Sequence, residues 1–442
     1  MSRIRIIITI IVVVLTTLLT GCTGKEPNEI AYVVALGIDS TDDDNYKITI
    51  QYANTTQISG GASESGGKAG SEIVDNVTIE APNIYAGVGL ANNIVSKSFS
   101  MSHAKLIVFS KEVAEKGVKD MIETLVRSEE IRPDVFIAVA NTTANDYLTS
   151  VNPEMEVNPA QYYQLIYQKN QLVGIPDGQL REFFTGLYTD NYDSILPVAG
   201  VIEGSGGNSQ NDDKGQSKDS QNEGSEGSSE SLDSFESKNS DENEKEKDAE
   251  KNTSKYEYDI KNYVGGETAI EKKNKAEAIG AAVFEKDKMV GELGEVETEI
   301  CKMLKGDYTY SYLTYYNNDT PDIPITVKTT QQKKPKYKID TDKKTVDIEL
   351  YIESDLYSLP ADYNVENKIE DFERDVANYT SSTCTEFINN FTKKYNSDIL
   401  KLNEKVKYKF LTNNQYNCSK KTSTGANTNS LCVPTLKSEE QD

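Results

Sequence analysis

Leu106–Ala140, LIVFSKEVAEKGVKDMIETLVRSEEIRPDVFIAVA, decides the fold class. Leu106 to Phe109 is a short apolar run with the content of a buried strand. Val113, Val118, Met121, Ile122, Leu125 and Val126 then share one face of a helix predicted over Val113–Ser128, and Val135 to Ala140 is apolar again. Just upstream, Ile73 to Glu80 reads as a strand, and Ile84, Val88, Ala91, Ile94 and Val95 recur at helical spacing, with Pro82 where a first helical turn accepts it. The resulting β-α-β-α-β order predicts an α/β chain of mixed α+β character, with a parallel or mixed sheet covered by helices.

Such a unit raises the question of nucleotide binding, and the residues answer it. Gly87 and Gly89 supply two glycines of a dinucleotide fingerprint, but the third is missing and both fall inside a predicted helix, away from any strand-to-helix turn. No P-loop is present. Before this unit, Glu29–Asp39 is a largely apolar strand and Tyr46–Ala53 alternates with period two. Asp42-Asp43-Asp44-Asn45 between them is turn chemistry, so the pair forms a hairpin; the three aspartates lack the spacing and closing Glu of a calcium loop. Gln57–Ser71, rich in Gly and Ser, reads as a loop.

Downstream, Tyr162, Leu165 and Ile166 form one short helical face, and Leu180, Phe183, Phe184 and Leu187 another. Ile195–Val198 closes this half. From Glu203 to Lys255 apolar residues nearly vanish: fifteen acids stand against seven bases, a net charge of −8, and the stretch reads as a disordered linker. The second half opens with two strands in Ala276–Leu293 around a turn at Glu285–Lys288, followed by a helix over Val296–Leu304. Strands are predicted at Tyr308–Tyr316, Ile323–Thr330, Tyr337–Asp340 and Thr345–Glu353. After Pro360 the longest helix carries Val365, Ile369, Phe372, Val376, Thr383, Phe387 and Phe391; Val406, Tyr408 and Phe410 then alternate as a closing strand, and the tail from Asn413 is polar and loose. The chain divides into residues 1–21 (leader), 22–200, a linker at 201–255, 256–412, and a flexible tail at 413–442.

The leader sets the compartment. Arg3 and Arg5 precede an apolar run from Ile6 to Leu19, which is too short to span a bilayer of ~30 Å comfortably. Leu19-Thr20-Gly21-Cys22 follows, a bacterial lipobox: Cys22 is expected to carry diacylglycerol and to become the first residue of the mature chain. A net charge of −24 argues against nucleic acid and against adsorption to anionic lipid, so the acyl chains have to do the holding. Cys301, Cys384, Cys418 and Cys432 allow two bridges in three pairings, or free thiols; metal ligation is disfavoured because no pair is spaced C-x-x-C.

Chemistry has few candidates. His103 is the sole histidine, which rules out multi-His metal sites and leaves a single position for the base of a triad; its place before a buried strand favours a structural role satisfying a backbone group. Glu295 with Glu299, and Glu366 with Glu370, are i, i+4 acid pairs of the kind helix surfaces of acidic proteins produce, and no sugar platform containing Trp is possible. No catalytic residue, cofactor or metal is predicted, and the chain reads as a non-enzyme.

The ordered set of strings resembles one family, the lipoprotein C subunits of bacterial spore germinant receptors, Ger(x)C. The likeness runs from the lipobox at Cys22 through Leu36-Gly37-Ile38-Asp39, the helix at Ile84–Ser96, and Ser102-His103-Ala104-Lys105-Leu106, similar to the family's His-Leu-Lys strand entry. It continues through Arg127-Ser128-Glu129-Glu130-Ile131-Arg132, Gly280-Ala281-Ala282-Val283-Phe284 with Lys288–Gly291, and Tyr395–Leu400. The acidic insertion is longer than the family's usual connection, and its Gly/aromatic and Trp positions after Leu400 are not evident. The resemblance implies three mixed α/β domains, two before the linker and one after. It also implies a subunit anchored on the outer face of the spore inner membrane, assembling with integral membrane A and B subunits to trigger germination. The alternative is a substrate-binding lipoprotein of an uptake transporter; its two lobes would close across short hinges, unlike the linker here. A cell-wall hydrolase is disfavoured by the single His and the absence of Trp.

Overall fold

The computed structural model describes residues 3–10, 29–43, 45–53, 74–152, 159–168, 174–189, 192–202, 262–268, 274–317, 320–340, 345–358, 369–395, 397–409 and 433–436. Cys22, the Gln57–Ser71 loop, Glu203–Lys255, Val365, Glu366, Cys418 and Cys432 lie outside them. Residues 3–10 are helical and exposed.

The apolar runs at Leu106 and Val135 are continuous because both faces of their sheet are covered. In β5 (Leu106–Ser110), Ile107 and Phe109 enter one core while Leu106 and Val108 enter another; in β6 (Phe136–Ala140), Ile137 and Val139 part in the same way from Phe136 and Ala138. With β1 (Ile30–Ser40), β2 (Tyr46–Ala53), β3 (Val74–Ala81), β4 (Ser98–Ser100), β7 (Ile195–Val201), β8 (Ala276–Glu285) and β9 (Lys288–Leu293) they form a nine-stranded sheet. Its order is β3-β2-β1-β5-β6-β7-β8-β9, with β4 alongside β1. Strands β1, β5, β6 and β7 are parallel neighbours, while the hairpins at either end are antiparallel, so the sheet is mixed. Thr41 closes the predicted β1–β2 turn by donating to the Asn45 carbonyl.

One face is covered by α1 (Ile84–Ala91), α2 (Lys111–Lys116), α3 (Lys119–Val126) and α6 (Leu180–Tyr188). The other is covered by α4 (Ala144–Ser150) and α5 (Pro159–Gln168), then, over β8, by α7 (Glu295–Lys305) and α8 (Ile369–Lys394). A second sheet, β10-β11-β12-β13, is built from Tyr310–Asn317, Thr320–Asp340, Thr345–Ser358 and Val433–Leu436. Its inner residues Tyr315, Ile325 and Val327 pack on Phe372, Val376 and Tyr379 of α8. The last element before the tail is α9 (Leu402–Lys407).

The structure corrects several expectations. Val113–Ser128 is two helices, because Gly117 adopts φ +120° and turns the chain; the five-residue step from Val113 to Val118 was the sign, and Val126 ends 39% exposed. Helix α1 is capped by Asn83, one residue after Pro82, and stops at Ala91, leaving Ile94 69% exposed. The buried face of α5 is Tyr162, Tyr163 and Tyr167, with Leu165 turned outward. Val406 and Tyr408 belong to a helix and its cap, not a closing strand, since the Asp398 carboxylate caps the N-terminus of α9. Val201 and Ile202, assigned to the linker by composition, finish β7 and lie buried or half-buried. Val433–Leu436, placed in a loose tail, pairs parallel with Thr345–Ile348 of β12. The two predicted strands at 323–330 and 337–340 are one long β11, whose ladder slips register around Pro335.

The acidic segment leaves from β7 and the chain returns through β8, and these two strands pair antiparallel from Ile195↔Val283 to Val201↔Ala276. Both halves of the sequence therefore contribute to one sheet.

Candidate functional site

In open α/β sheets, ligands bind beyond the carboxyl ends of the parallel strands, where helix N-termini offer free N–H groups. Here that edge holds a cleft of about 340 Å³ lined by Asp39, Ser110, Lys111, Glu112, Asn141 and Thr143 among others. Asp39 ends β1 and is 6% exposed. Its Oδ1 accepts from the Ala144 N–H at 2.6 Å and its Oδ2 from the Asn145 N–H at 3.1 Å. Thr143 Oγ1 takes the next donor, the Asp146 N–H, at 2.9 Å. The N–H groups that could receive a ligand's anion thus already hold a carboxylate of the chain. Burial raises the Asp39 carboxyl above the usual range, opposed by the two backbone donors. Lys111 is drawn to Glu292 at 3.0 Å. Asp39 thus serves as a structural joint at a position where related architectures bind ligands.

A second carboxylate cluster occupies the opposite edge, where the parallel strands begin. The Asp398 N–H donates to Asp193 Oδ2 at 2.9 Å, and the Lys286 N–H to Asp193 Oδ1 at 3.0 Å. Asp398 itself caps α9 through the N–H groups of Leu402 at 2.9 Å and Asn403 at 2.7 Å. Burial pushes its carboxyl up to about 6, against the pull of those two donors. This knot ties the entry to β7, the β8–β9 turn and the end of α8 together. Ser397 Oγ adds a bond to the Phe284 carbonyl at 2.8 Å.

The residues singled out from sequence are scattered. His103 is exposed, edge-on to Tyr32 at 4.9 Å, with Nδ1 3.0 Å from Ser102 Oγ, so it satisfies a side chain instead of the expected backbone group. Glu295 and Glu299 share α7, as predicted. Burial pushes Glu299 up to about 7, against a hydrogen bond from Ser311 Oγ at 2.9 Å, and raises Glu295 as well. Glu370 is exposed on α8. Cys301 and Cys384 are free, buried thiols, raised by burial to about 11 and about 12. Gly87 lies inside α1, where a side chain would meet Ile48.

Sequence reasoning missed a buried polar network beneath α4 and α5. Tyr147 and Tyr167 share a hydrogen bond at 2.9 Å, Tyr163 donates to Gln51 Oε1 at 2.7 Å, and Asn274 donates to the Tyr162 hydroxyl at 3.0 Å. Burial holds the Tyr147 and Tyr163 hydroxyls well above their ordinary range, so they serve as neutral hydrogen-bonding groups. The i, i+1, i+5 spacing of Tyr162, Tyr163 and Tyr167 was the available signal. Among the described residues no group of three or more His, Cys, Asp or Glu side chains could hold a metal ion, and no helix is long and apolar enough to cross a membrane.

Comparison with known proteins places these features in context. Residues 24–201 match the family described as spore germination protein N-terminal domain, and residues 279–421 match spore germination B3/GerAC like, C-terminal. Among curated proteins, Spore germination protein KC of Bacillus subtilis is 26% identical over 37% of this chain and 43% of its own length. Putative spore germination protein YfkR of the same organism is 28% identical over 33% of this chain and 37% of its own. The chain thus matches about two fifths of the length of these relatives. A solved structure described as the crystal structure of the GerBC protein aligns over 91% of this chain and 94% of its own, with 13% identity and a TM-score of 0.42.

Proposed function

Since the chain belongs to the Ger(x)C family of spore germination proteins, we propose that it is the lipid-anchored C subunit of a nutrient germinant receptor, held on the outer face of the spore inner membrane through acylated Cys22 and assembled there with integral membrane A and B subunits. The observation that carries this reading is the ordered pair of family matches on either side of the acidic segment, the first beginning two residues after Cys22. The chemistry agrees with a subunit that works by contact. The carboxyl-edge cleft is held by its own Asp39, and Glu299, raised to about 7, spends an oxygen on Ser311. Two or three acyl chains, at ~0.8 kcal/mol per buried CH₂, anchor a protein stably where one chain would be marginal.

The test is genetic and chemical. Spores carrying this receptor as their only one, with the gene deleted, should lose nutrient-triggered germination at least tenfold while responding normally to a non-nutrient trigger. Cys22→Ala should reproduce the loss and release the protein from the membrane fraction. Unchanged nutrient germination in both strains, or mass spectrometry showing Cys22 bare with the leader attached, would overturn the proposal.

A further inference from the structure

The net charge of −24 hides a local reversal of sign. Lys333, Lys334, Lys336 and Lys338 lie within six residues of β11, all exposed, and Lys401, Lys405, Lys407 and Lys409 lie in and around α9. The structure brings these two stretches together. Lys405 Nζ sits 4.2 Å from the centre of the Tyr337 ring, on β11 between Lys336 and Lys338, and Lys405 feels the charges of both Lys401 and Lys334. Acids stand among these lysines: Glu349 pairs with Lys336 and Lys338, Asp347 is opposite Lys338 across the ladder, and Glu404 and Asp398 act on Lys405. In the middle of the α9 lysines stands Tyr408, 81% exposed and flanked by Lys407 and Lys409.

The position of this patch follows from the sheet. Lys401 Nζ lies 4.2 Å from the centre of the Tyr192 ring, just before β7, and Asp398 is bonded to Asp193 there. Strand β7 is parallel to β6, β5 and β1, so its start lies on the same edge as Ile30, where the chain enters from Cys22. The registers set Ile195 level with Ala35, so the start of β1 lies three strand spacings, about 14 Å, to the side and five residues, about 16 Å, further out. The six residues between Cys22 and Glu29 span at most ~20 Å when extended. A lipid on Cys22 and the lysines on α9 can thus reach one plane.

We propose that the lysines of α9 and the adjoining part of β11, with Tyr408, form a docking surface for anionic phospholipid headgroups, which lays the amino edge of the large sheet against the membrane. The inference rests on the anchored reading above for its orientation. The acidic remainder of the molecule does not forbid it, because at physiological salt a charge is screened beyond ~8 Å and the patch is what the surface meets. An exposed tyrosine among lysines suits the headgroup layer, where an aromatic ring and a cationic chain each keep a polar tip in water. Beyond Thr330 strand β11 has no β10 partner, and its lysines there also guard that edge against pairing with another chain. That role asks nothing of the α9 lysines or of Tyr408.

The experiment uses the chain from residue 22 onward with Cys22→Ser, so that no acyl group contributes, and sedimentation with vesicles. It should bind phosphatidylglycerol vesicles at least tenfold more tightly than phosphatidylcholine vesicles at low salt, and lose that preference in ~0.5 M salt. A lysine near an anionic surface is worth about a factor of five, so Lys401, Lys405, Lys407 and Lys409 changed together to Gln should remove that preference, a loss of at least tenfold. Tyr408→Ser, at an exposed site where folding is not at stake, should cost a few-fold. Equal binding to both vesicle types, or full binding by the Gln variant, would overturn the proposal. So would binding only after residues 203–255 are removed, which would assign the patch to that acidic segment. A bare Cys22 in the native protein would remove the anchored reading while leaving the vesicle result to stand or fall separately.

Discussion

At the carboxyl edge of the large sheet, Asp39 receives the N–H groups of Ala144 and Asn145 from a helix 105 residues further on; at the amino edge, Asp398 receives those of Leu402 and Asn403 and is itself bonded to Asp193, 205 residues earlier. The chemistry is the same: a buried carboxylate at a helix N-terminus, favoured by free N–H donors and by the helix dipole. The tasks differ. Asp39 fastens one β-α unit to its neighbour inside the first half of the sequence. The Asp193–Asp398 knot joins segments that stand on opposite sides of the acidic insertion. A position that serves ligands in other open sheets here serves assembly, and at the far edge the same device holds the second half in place.

The largest expected effect breaks the first joint. Asp39→Ala strands the buried Ala144 N–H and removes two charge-assisted bonds, which should cost ~3 kcal/mol in urea unfolding. A cost below ~1 kcal/mol would mean that the cleft is not held by this carboxylate. Asp193→Ala and Asp398→Ala should each cost ~2 kcal/mol, and the double variant clearly less than their sum, because each supports the other. Strict additivity would show two independent caps instead of one knot.

Dependence on pH sharpens the comparison further. Burial raises Asp39, Asp398 and Glu299 alike, the last two to about 6 and about 7. A raised folded value means that the folded state binds the proton more tightly. The stabilisation is complete below the unfolded value and is lost as pH rises through the folded one. Stability should therefore fall between about pH 4 and pH 7. Glu299→Gln should flatten that slope by up to ~3 kcal/mol, while the slope left behind reports the two edges. A slope unchanged in the Gln variant would move the titration away from α7. The smallest effect is expected at the thiols: Cys301 and Cys384, held up to about 11 and about 12 by burial, should resist alkylation at pH 8 until the chain unfolds. Rapid labelling of the folded chain would show that the core around α7 and α8 opens locally.

What could be read from sequence was what depends on local pattern. Strands β5 and β6 were legible because burial on both faces demands unbroken apolar runs, and α7 and α8 because their apolar residues keep helical spacing. What escaped depends on distant partners. The Val406-Lys407-Tyr408 alternation imitates a strand, and only Asp398 makes the preceding residues helical. Asp39 looks like an ordinary strand end until Ala144 arrives beside it. Composition marked the acidic segment as a divider, yet nothing local to it reveals that β7 and β8 pair across it. Nor does a summed charge of −24 show that Lys405 of α9 meets Tyr337 and Lys334 of β11.

The pairing of β7 with β8 has a practical corollary. A single backbone cut between residues 203 and 261 would leave each piece holding the other through a ladder of main-chain bonds, the Asp193–Asp398 contact and a shared apolar interior. Such a nicked molecule would run as two bands in detergent and elute as one particle from a sizing column. Shortened bands in a spore extract would therefore be no sign that this protein had ceased to act as a whole.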